Sequence, residues 1–297
     1  MHESPPPGRV RLVLFIGVLC VSFPAILVRY AEAPALAIAF WRKALAAGLL
    51  VPLVSWQLWR RPGRAREAAR LLPLAAATGL VLALHFGTWI SSVQRTTVAS
   101  SLVLASTQPV WGALFGKLFL REHLPPRGAA AILLSLAGVA LIAGGDRGLG
   151  GESLAGDALA VAAALFAAGY LTLGRSVRAR VELAPWLLML YLAAAAALGL
   201  SALAAGLPLS GFSGRTWLMF ALLALVPSTL GHNLLNYAVR HMETYKVNLS
   251  ILAEPVVSTL LAALLFAERP GPLFYPGALL VLAGVVAALW PPRPRAL

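Results

Sequence analysis

Charge is what this chain has least of. Only 12% of its 297 residues are charged, while 60% are hydrophobic. Soluble domains carry about 25% charge, and so few charges cannot cover a soluble globule of this length. Cysteine is nearly absent too. The single Cys20 lies inside an apolar run, which excludes an intrachain disulfide and a thiolate metal cluster. There is no HExxH and no cysteine pair, so no spacing supports a metal. No GxxxxGK[ST] segment occurs, so nothing here supports ATP as an energy source. GxSxG is also missing, and the only aspartates, Asp146 and Asp157, are expected at outer loops, Asp157 at the very start of an apolar run. An intramembrane hydrolase therefore lacks its usual nucleophile or acid pair. No cofactor is expected.

What is present is apolar sequence in long blocks. Ten stretches have the length a bilayer demands, about 20 residues at a rise of 1.5 Å each. They lie near 11–30, 34–56, 69–91, 97–120, 127–145, 156–174, 185–205, 216–238, 246–267 and 272–290. Hydrocarbon offers no water to backbone groups, so all should be helices. The alternation of a β-barrel is missing. Alanine, leucine and glycine dominate, and small residues let helices approach closely. The expected class is an all-α membrane protein with ten transmembrane helices in the lipid bilayer.

The net charge of +13 raises nucleic acid as a partner, but the basic residues sit almost entirely between apolar runs, and no nucleic acid is expected. With the N-terminus inside, the inner segments hold 16 basic residues: Arg9, Arg11, Arg60, Arg61, Arg64, Arg66, Arg70, Arg121, Arg127, Arg175, Arg178, Arg180, Arg240, Lys246, Arg293 and Arg295. The outer segments hold five, Arg29, Arg95, Arg147, Arg215 and Arg269. That asymmetry is the positive-inside pattern. It predicts N-in and C-in, and a multi-pass protein of the plasma membrane, the bacterial inner membrane. Arg9 and Arg11, an apolar run and then Ala31-Glu32-Ala33 imitate a cleavable signal peptide. The run is longer than a signal core, so the segment is read as the first span.

Much of the chain is written twice, 146 residues apart: Arg29 maps to Arg175, Gln108-Pro109 to Glu254-Pro255, Glu122 to Glu268, and Leu136-Ala137-Gly138-Val139 to Leu282-Ala283-Gly284-Val285. The repeats run over 11–145 and 156–290. Five helices is an odd number, so the second copy enters the membrane from the other side. Two inverted five-helix repeats suit alternating access around a central site.

The residues that carry a family resemblance are ordered along both copies. They are Phe40-Trp41-Arg42, Val98-Ala99-Ser100-Ser101 through Thr107-Gln108-Pro109, and Leu120-Arg121-Glu122. In the second copy they are Asn236-Tyr237-Ala238, Leu252-Ala253-Glu254-Pro255 and Phe266-Ala267-Glu268, with the Gly138 and Gly284 helices completing each half. The pattern resembles the EamA family of the drug/metabolite transporter superfamily over about 11–290. The resemblance implies ten helices, a central cavity and movement of small metabolites, often export of amino acids or drugs. Small multidrug relatives carry a membrane glutamate in their first helix. This chain has none between Leu12 and Val28, so their proton-for-cation scheme does not carry over.

Ionisable groups deep in a bilayer are costly and face partners or water. Glu254 is the deepest acid. Lys246, Ser250, Glu254 and Ser258 follow at i+4 steps and should form one polar stripe, with Gln108 matching Glu254 in the first copy. Glu254 is expected to bind a substrate amine or carry a proton; the competing reading is a carboxyl that locks neighbouring helices. His232 with Asn236, and Asn233 with Tyr237, share faces near Pro227; His85 and Trp89 share another. The histidines change charge near neutral pH and could carry protons, or simply pack. Trp89, Trp111, Tyr170 and Tyr237 could stack a flat substrate or pack as ordinary aromatics.

Arg42 is a candidate gate or anion contact. Arg42 and Lys43 point about 100° apart, so one should snorkel outward. Lys117 should snorkel as well. Trp56, Trp59, Trp186, Trp217 and Trp290 read as an interfacial belt. Pro24, Pro109 and Pro255 should disturb their helices.

Three functional classes follow: a secondary transporter of a small-molecule substrate, with proton coupling as one option; a channel or facilitator; and, least supported, an intramembrane enzyme. Oligomeric state is not legible.

Overall fold

The computed structural model describes residues 6–61, 63, 69–93, 95, 101, 104–145, 154–178, 182–266 and 272–290. Among them all regular structure is helical. Along the chain come α1 Pro7–Val21, α2 Pro24–Tyr30, α3 Ala35–Arg60, α4 Leu72–Val93, α5 Gln108–Leu120, α6 Pro126–Gly145 and α7 Leu154–Arg178. Then follow α8 Leu183–Ala204, α9 Gly214–Leu223, a π-helix Ala224–His232, α10 Asn233–His241, α11 Thr244–Ile251, α12 Glu254–Phe266 and α13 Phe274–Leu289.

Among the described residues six helical runs are long and apolar enough to cross a membrane: Pro7–Val28, Ala35–Arg60, Leu72–Val93, Leu154–Arg175, Leu183–Ala204 and Gly214–His241. Pro126–Leu141 and Phe274–Leu289 are apolar but shorter. Each of the ten apolar stretches read from the sequence holds at least one helix. Four expected single helices are divided. The first breaks at Ser22-Phe23, before Pro24; the fourth turns at Ser106-Thr107, before Gln108-Pro109; the eighth passes through the π-helix around Pro227; the ninth stops at Leu252-Ala253, before Glu254-Pro255. Proline lacks the N–H a helix interior needs, and its ring presses on the preceding turn. The freed Ser22 carbonyl accepts the Ser258 hydroxyl at 2.8 Å.

The helices pack in pairs that respect the 146-residue offset. α6 lies along α13, and α3 along α8, each helix on its own counterpart. α4 packs on α7, while the counterpart pairing sets α1 against the π-helix and α10. α5 rests on α7, as α12 rests on α1 and α2.

Small residues permit the tightest crossing. A Cβ on Gly138 would lie 2.5 Å from the Gly277 carbonyl, and one on Gly284 would lie 2.7 Å from that of Ala131. Gly138 and Gly284 are counterparts, as are Ala131 and Gly277, so one backbone contact is made twice. Between them the Ser135 hydroxyl donates to the carbonyl of Val281, its own counterpart, at 3.4 Å. Outward faces carry Leu12, Phe15, Leu118, Phe119, Leu200 and Leu279 largely exposed, as lipid-facing surfaces require.

Candidate functional site

Two helix breaks at equivalent places build the centre of the molecule. α5 and α12 cover the same positions under the offset, Gln108–Leu120 and Glu254–Phe266. Each begins with the polar residue and then proline. Before each, one tight turn repeats: Thr107 N–H donates to the Leu104 carbonyl at 3.1 Å, and Ala253 N–H to that of Ser250 at 3.1 Å. The Lys246–Ser258 stripe is therefore not continuous. Lys246 pairs with Glu243 at 2.8 Å, Ser250 donates to the Lys246 carbonyl at 2.8 Å, and Glu254 opens a new helix. Proline enforces the change of direction that the i+4 spacing ignored.

A cavity of about 90 Å³ lies at these breaks. Glu254, Gln108, His85, Trp89, Tyr170, His232 and Arg42 line it, joined by Phe86 and Asn248. Trp111, Asn233, Asn236, Tyr237 and Ser250 lie off its wall. Trp111 is half-buried on α5, and the Tyr237 ring packs at a tilt of 54° against His241 with ring centres 4.6 Å apart. Asn233 accepts the Tyr191 hydroxyl at 2.7 Å. Asn236 donates its amide to the His232 carbonyl at 2.7 Å.

Hydrogen bonds fix several lining groups. His85 Nδ1 donates to the Ala163 carbonyl at 3.0 Å, which leaves Nε2 as the acceptor in a neutral ring. Tyr170 Oη and His232 Nδ1 are hydrogen-bonded at 3.0 Å. Gln108 Nε2 donates to Asn248 Oδ1 at 2.5 Å. This bond joins the two halves at the cavity. Asn248 is fully buried, and its Nδ2 has no acceptor among the described residues. It lies over Gly112, where any side chain would collide with it.

Arg42 and Lys43 overturn the expectation that one of them snorkels. Both are fully buried. Arg42 Nε donates to Ser228 Oγ at 2.7 Å, and Lys43 Nζ lies 3.5 Å from the same hydroxyl. The Arg42 guanidinium sits 4.4 Å from the centre of the Phe86 ring and the Lys43 ammonium 4.3 Å from it. Lys43 also lies 4.5 Å from the Tyr191 ring centre. Long, flexible stems bring heads together that leave the helix 100° apart, and aromatic faces and a hydroxyl replace water around them.

Ser228 lies in the widened turns of the π-helix, where the Thr229 hydroxyl donates to the Ala224 carbonyl at 2.7 Å. The Ser228 carbonyl accepts the Tyr191 hydroxyl at 3.2 Å. Such widened turns recur at functional sites. Ser228, Tyr191, Phe86 and Asn248 escaped the sequence reading. A polar Asn248 two turns before Glu254-Pro255 was the available signal for one of them.

At the opposite end of α5 a polar clasp ties the halves together. Glu122 Oε1 lies 2.5 Å from Arg175 Nε. Its Oε2 accepts the Thr244 N–H at 3.1 Å, the first helical residue of α11. Arg175 also donates to the Val239 carbonyl at 2.5 Å and to that of Met242. The counterpart Glu268 lies outside the described residues, as do Val98–Ser100 and Asp146. Among the expected belt tryptophans, Trp56, Trp59 and Trp290 are exposed, but Trp186 is fully buried, because it heads α8 where that helix enters the core. Among the described residues no group of three His, Cys, Asp or Glu could hold a metal.

A model of the EamA-like transporter family matches residues 9–144 and, a second time, residues 154–290. No curated protein matches the chain. One solved crystal structure superposes with a TM-score of 0.80 over 95% of this chain and 96% of the other, at 22% identity. That is a likeness of fold.

Proposed function

The chain belongs to the EamA-like transporter family, and we propose that it is a secondary transporter, an exporter of small metabolites that works by alternating access. The observation that carries this reading is one cavity at the paired helix breaks, lined by a guanidinium, Arg42, and a carboxylate, Glu254. Opposite charges on one wall suit a zwitterion of the amino-acid class, with Trp89, Phe86 and Tyr170 against its apolar part. Glu254, His85 and His232 are the groups through which protons would couple.

The helix pairings support a two-fold relation of the two halves, because the main contacts recur between counterparts, and an odd number of spans in each half makes that relation an inverted one. Ten spans with both termini inside, in the bacterial inner membrane, complete the reading. At about 90 Å³ the cavity has room for waters and falls short of the roughly 300 Å³ of a small-molecule pocket. Loading therefore requires the halves to part. The clasp of Glu122, Arg175 and Thr244, with the Asn248–Gly112 contact above it, closes the side that the charge rule assigns to the cytoplasm. Its release is the opening step on that face.

Counterflow of labelled amino acids in proteoliposomes tests the function. Glu254→Gln should abolish transport while the protein still inserts and folds. Unitary currents from the same vesicles would instead identify a channel. Cysteine labelling should find 146–155 outside and 60–68 inside; the reverse result ends the orientation argued here.

A further inference from the structure

We infer that an anionic phospholipid occupies the groove between α5 and α6, its acyl chain against Val110, Leu114 and Leu133 and its headgroup on Lys117, Arg121 and His123. The two helices follow one another in the chain but diverge: α5 leans on α7 and α11, while α6 lies along α13. The gap between them is a groove of about 840 Å³. Val110, Leu114 and Lys117 line it from one face of α5, as their spacing dictates, and Leu133 faces them from α6. Val110, Leu114 and Leu133 are 45%, 42% and 68% exposed. At this depth no water is available to fill an apolar groove, so the filling must be hydrocarbon.

The mouth of the groove selects the headgroup. Lys117, Arg121 and His123 all line it. The one acid among its lining residues, Glu122, is already held by Arg175. Arg121 has φ 56°, the only non-glycine residue with positive φ among the described residues, in a region that residues with bulky side chains avoid. At that turn Arg121 and His123, on either side of Glu122, join Lys117 at the same opening. The N-terminus of the 20-residue helix α6 adds the positive end of its dipole beside them. A net-negative phosphate complements this mouth; a zwitterionic headgroup brings a cation that it repels.

The full-length protein in nanodiscs of mixed phosphatidylglycerol and phosphatidylcholine tests the assignment by native mass spectrometry. Phosphatidylglycerol should be retained at collision energies that strip phosphatidylcholine. Each basic residue near a membrane surface strengthens anionic-lipid binding about fivefold, so K117A/R121A should weaken retention about thirtyfold. K117R/R121K should preserve it. R60A/R61A removes as much charge at the end of α3 and should leave it unchanged.

Equal losses in R60A/R61A would reduce the effect to bulk charge and overturn the proposal. So would equal retention of both lipids. Disulfide-linked dimers of the double variant C20A/L114C, whose single thiol lies in the groove, would put a second copy there and overturn it as well. None of these readouts depends on transport.

Discussion

Glu122→Gln isolates the clasp. Glutamine keeps the length of the side chain and can still accept the Thr244 N–H, but it leaves Arg175 without its anion. The side chains of Arg175 and Glu122 are 24% and 12% exposed, so the pair is mostly shielded from water. Removing one partner of a fully buried pair costs about 3–5 kcal/mol. Residual solvation and the two carbonyls that Arg175 keeps reduce this to about 2 kcal/mol, near the value of a charged hydrogen bond. That is about thirtyfold in an equilibrium constant. If the clasp joins the halves only when this face is closed, as the proposed alternating access requires, the closed-to-open ratio should fall by the same factor.

The assay uses the chain's single native thiol. Cys20→Ala removes it, and Ile251→Cys places a new thiol on the cavity wall. A membrane-impermeant maleimide applied from the inner face should then label the Glu122→Gln protein about thirtyfold faster. A rate within twofold of the parent, in protein that remains folded, would refute the reasoning. The clasp would then be a structural tie with no part in gating.

Three further outcomes are expected. Ser228→Ala strips the hydroxyl that serves both Arg42 and Lys43, and should destabilise the protein by about 1–3 kcal/mol in detergent unfolding, whereas Lys43→Met should be neutral or stabilising. Gly138→Leu forces apart the α6–α13 crossing and should cost about 1–3 kcal/mol or more, read as a lower unfolding midpoint in mixed micelles. At the α10–α11 turn, burial pushes the Glu243 carboxyl up, but the Lys246 ammonium, together with Arg175, more than offsets this and holds it below its ordinary value. Its contribution is present above the usual carboxylate range and lost as pH falls through the lowered value. Since Glu243 is 43% exposed, Glu243→Gln should cost under about 1 kcal/mol at pH 7, and the difference should vanish in acid.

Much of the fold was legible because a bilayer simplifies the code. Length, hydropathy and arginine placement locate the helices, and the repeat locates Gln108 and Glu254. The breaks at Ser22-Phe23 and Leu252-Ala253 were foreshadowed by Pro24 and Pro255. What escaped depends on contacts between helices distant in the chain. Lys43 meets Tyr191 across 148 positions and Ser228 across 185, and no local pattern encodes either. Helical spacing also misled: the i+4 rule drew Ser250 and Glu254 onto one face because it assumes the helix continues through proline. Asn236 was expected to share a face with His232, and Tyr237 with Asn233; His232 lines the cavity, whereas Asn233, Asn236 and Tyr237 lie off its wall.

The crossing at which Ser135 donates to Val281 constrains how motion can be observed. When two halves trade shapes, every residue takes the role of its counterpart 146 positions away. The separation of a counterpart pair is then the same before and after the trade. Distance probes on residues 135 and 281, or on 108 and 254, would be silent through a complete cycle and would look rigid. Probes on 122 and 175 are not counterparts, and their separation trades with that of 29 and 268. A spectroscopist choosing the symmetric-looking pairs would conclude that this protein does not move; the informative pairs are those the repeat leaves unmatched.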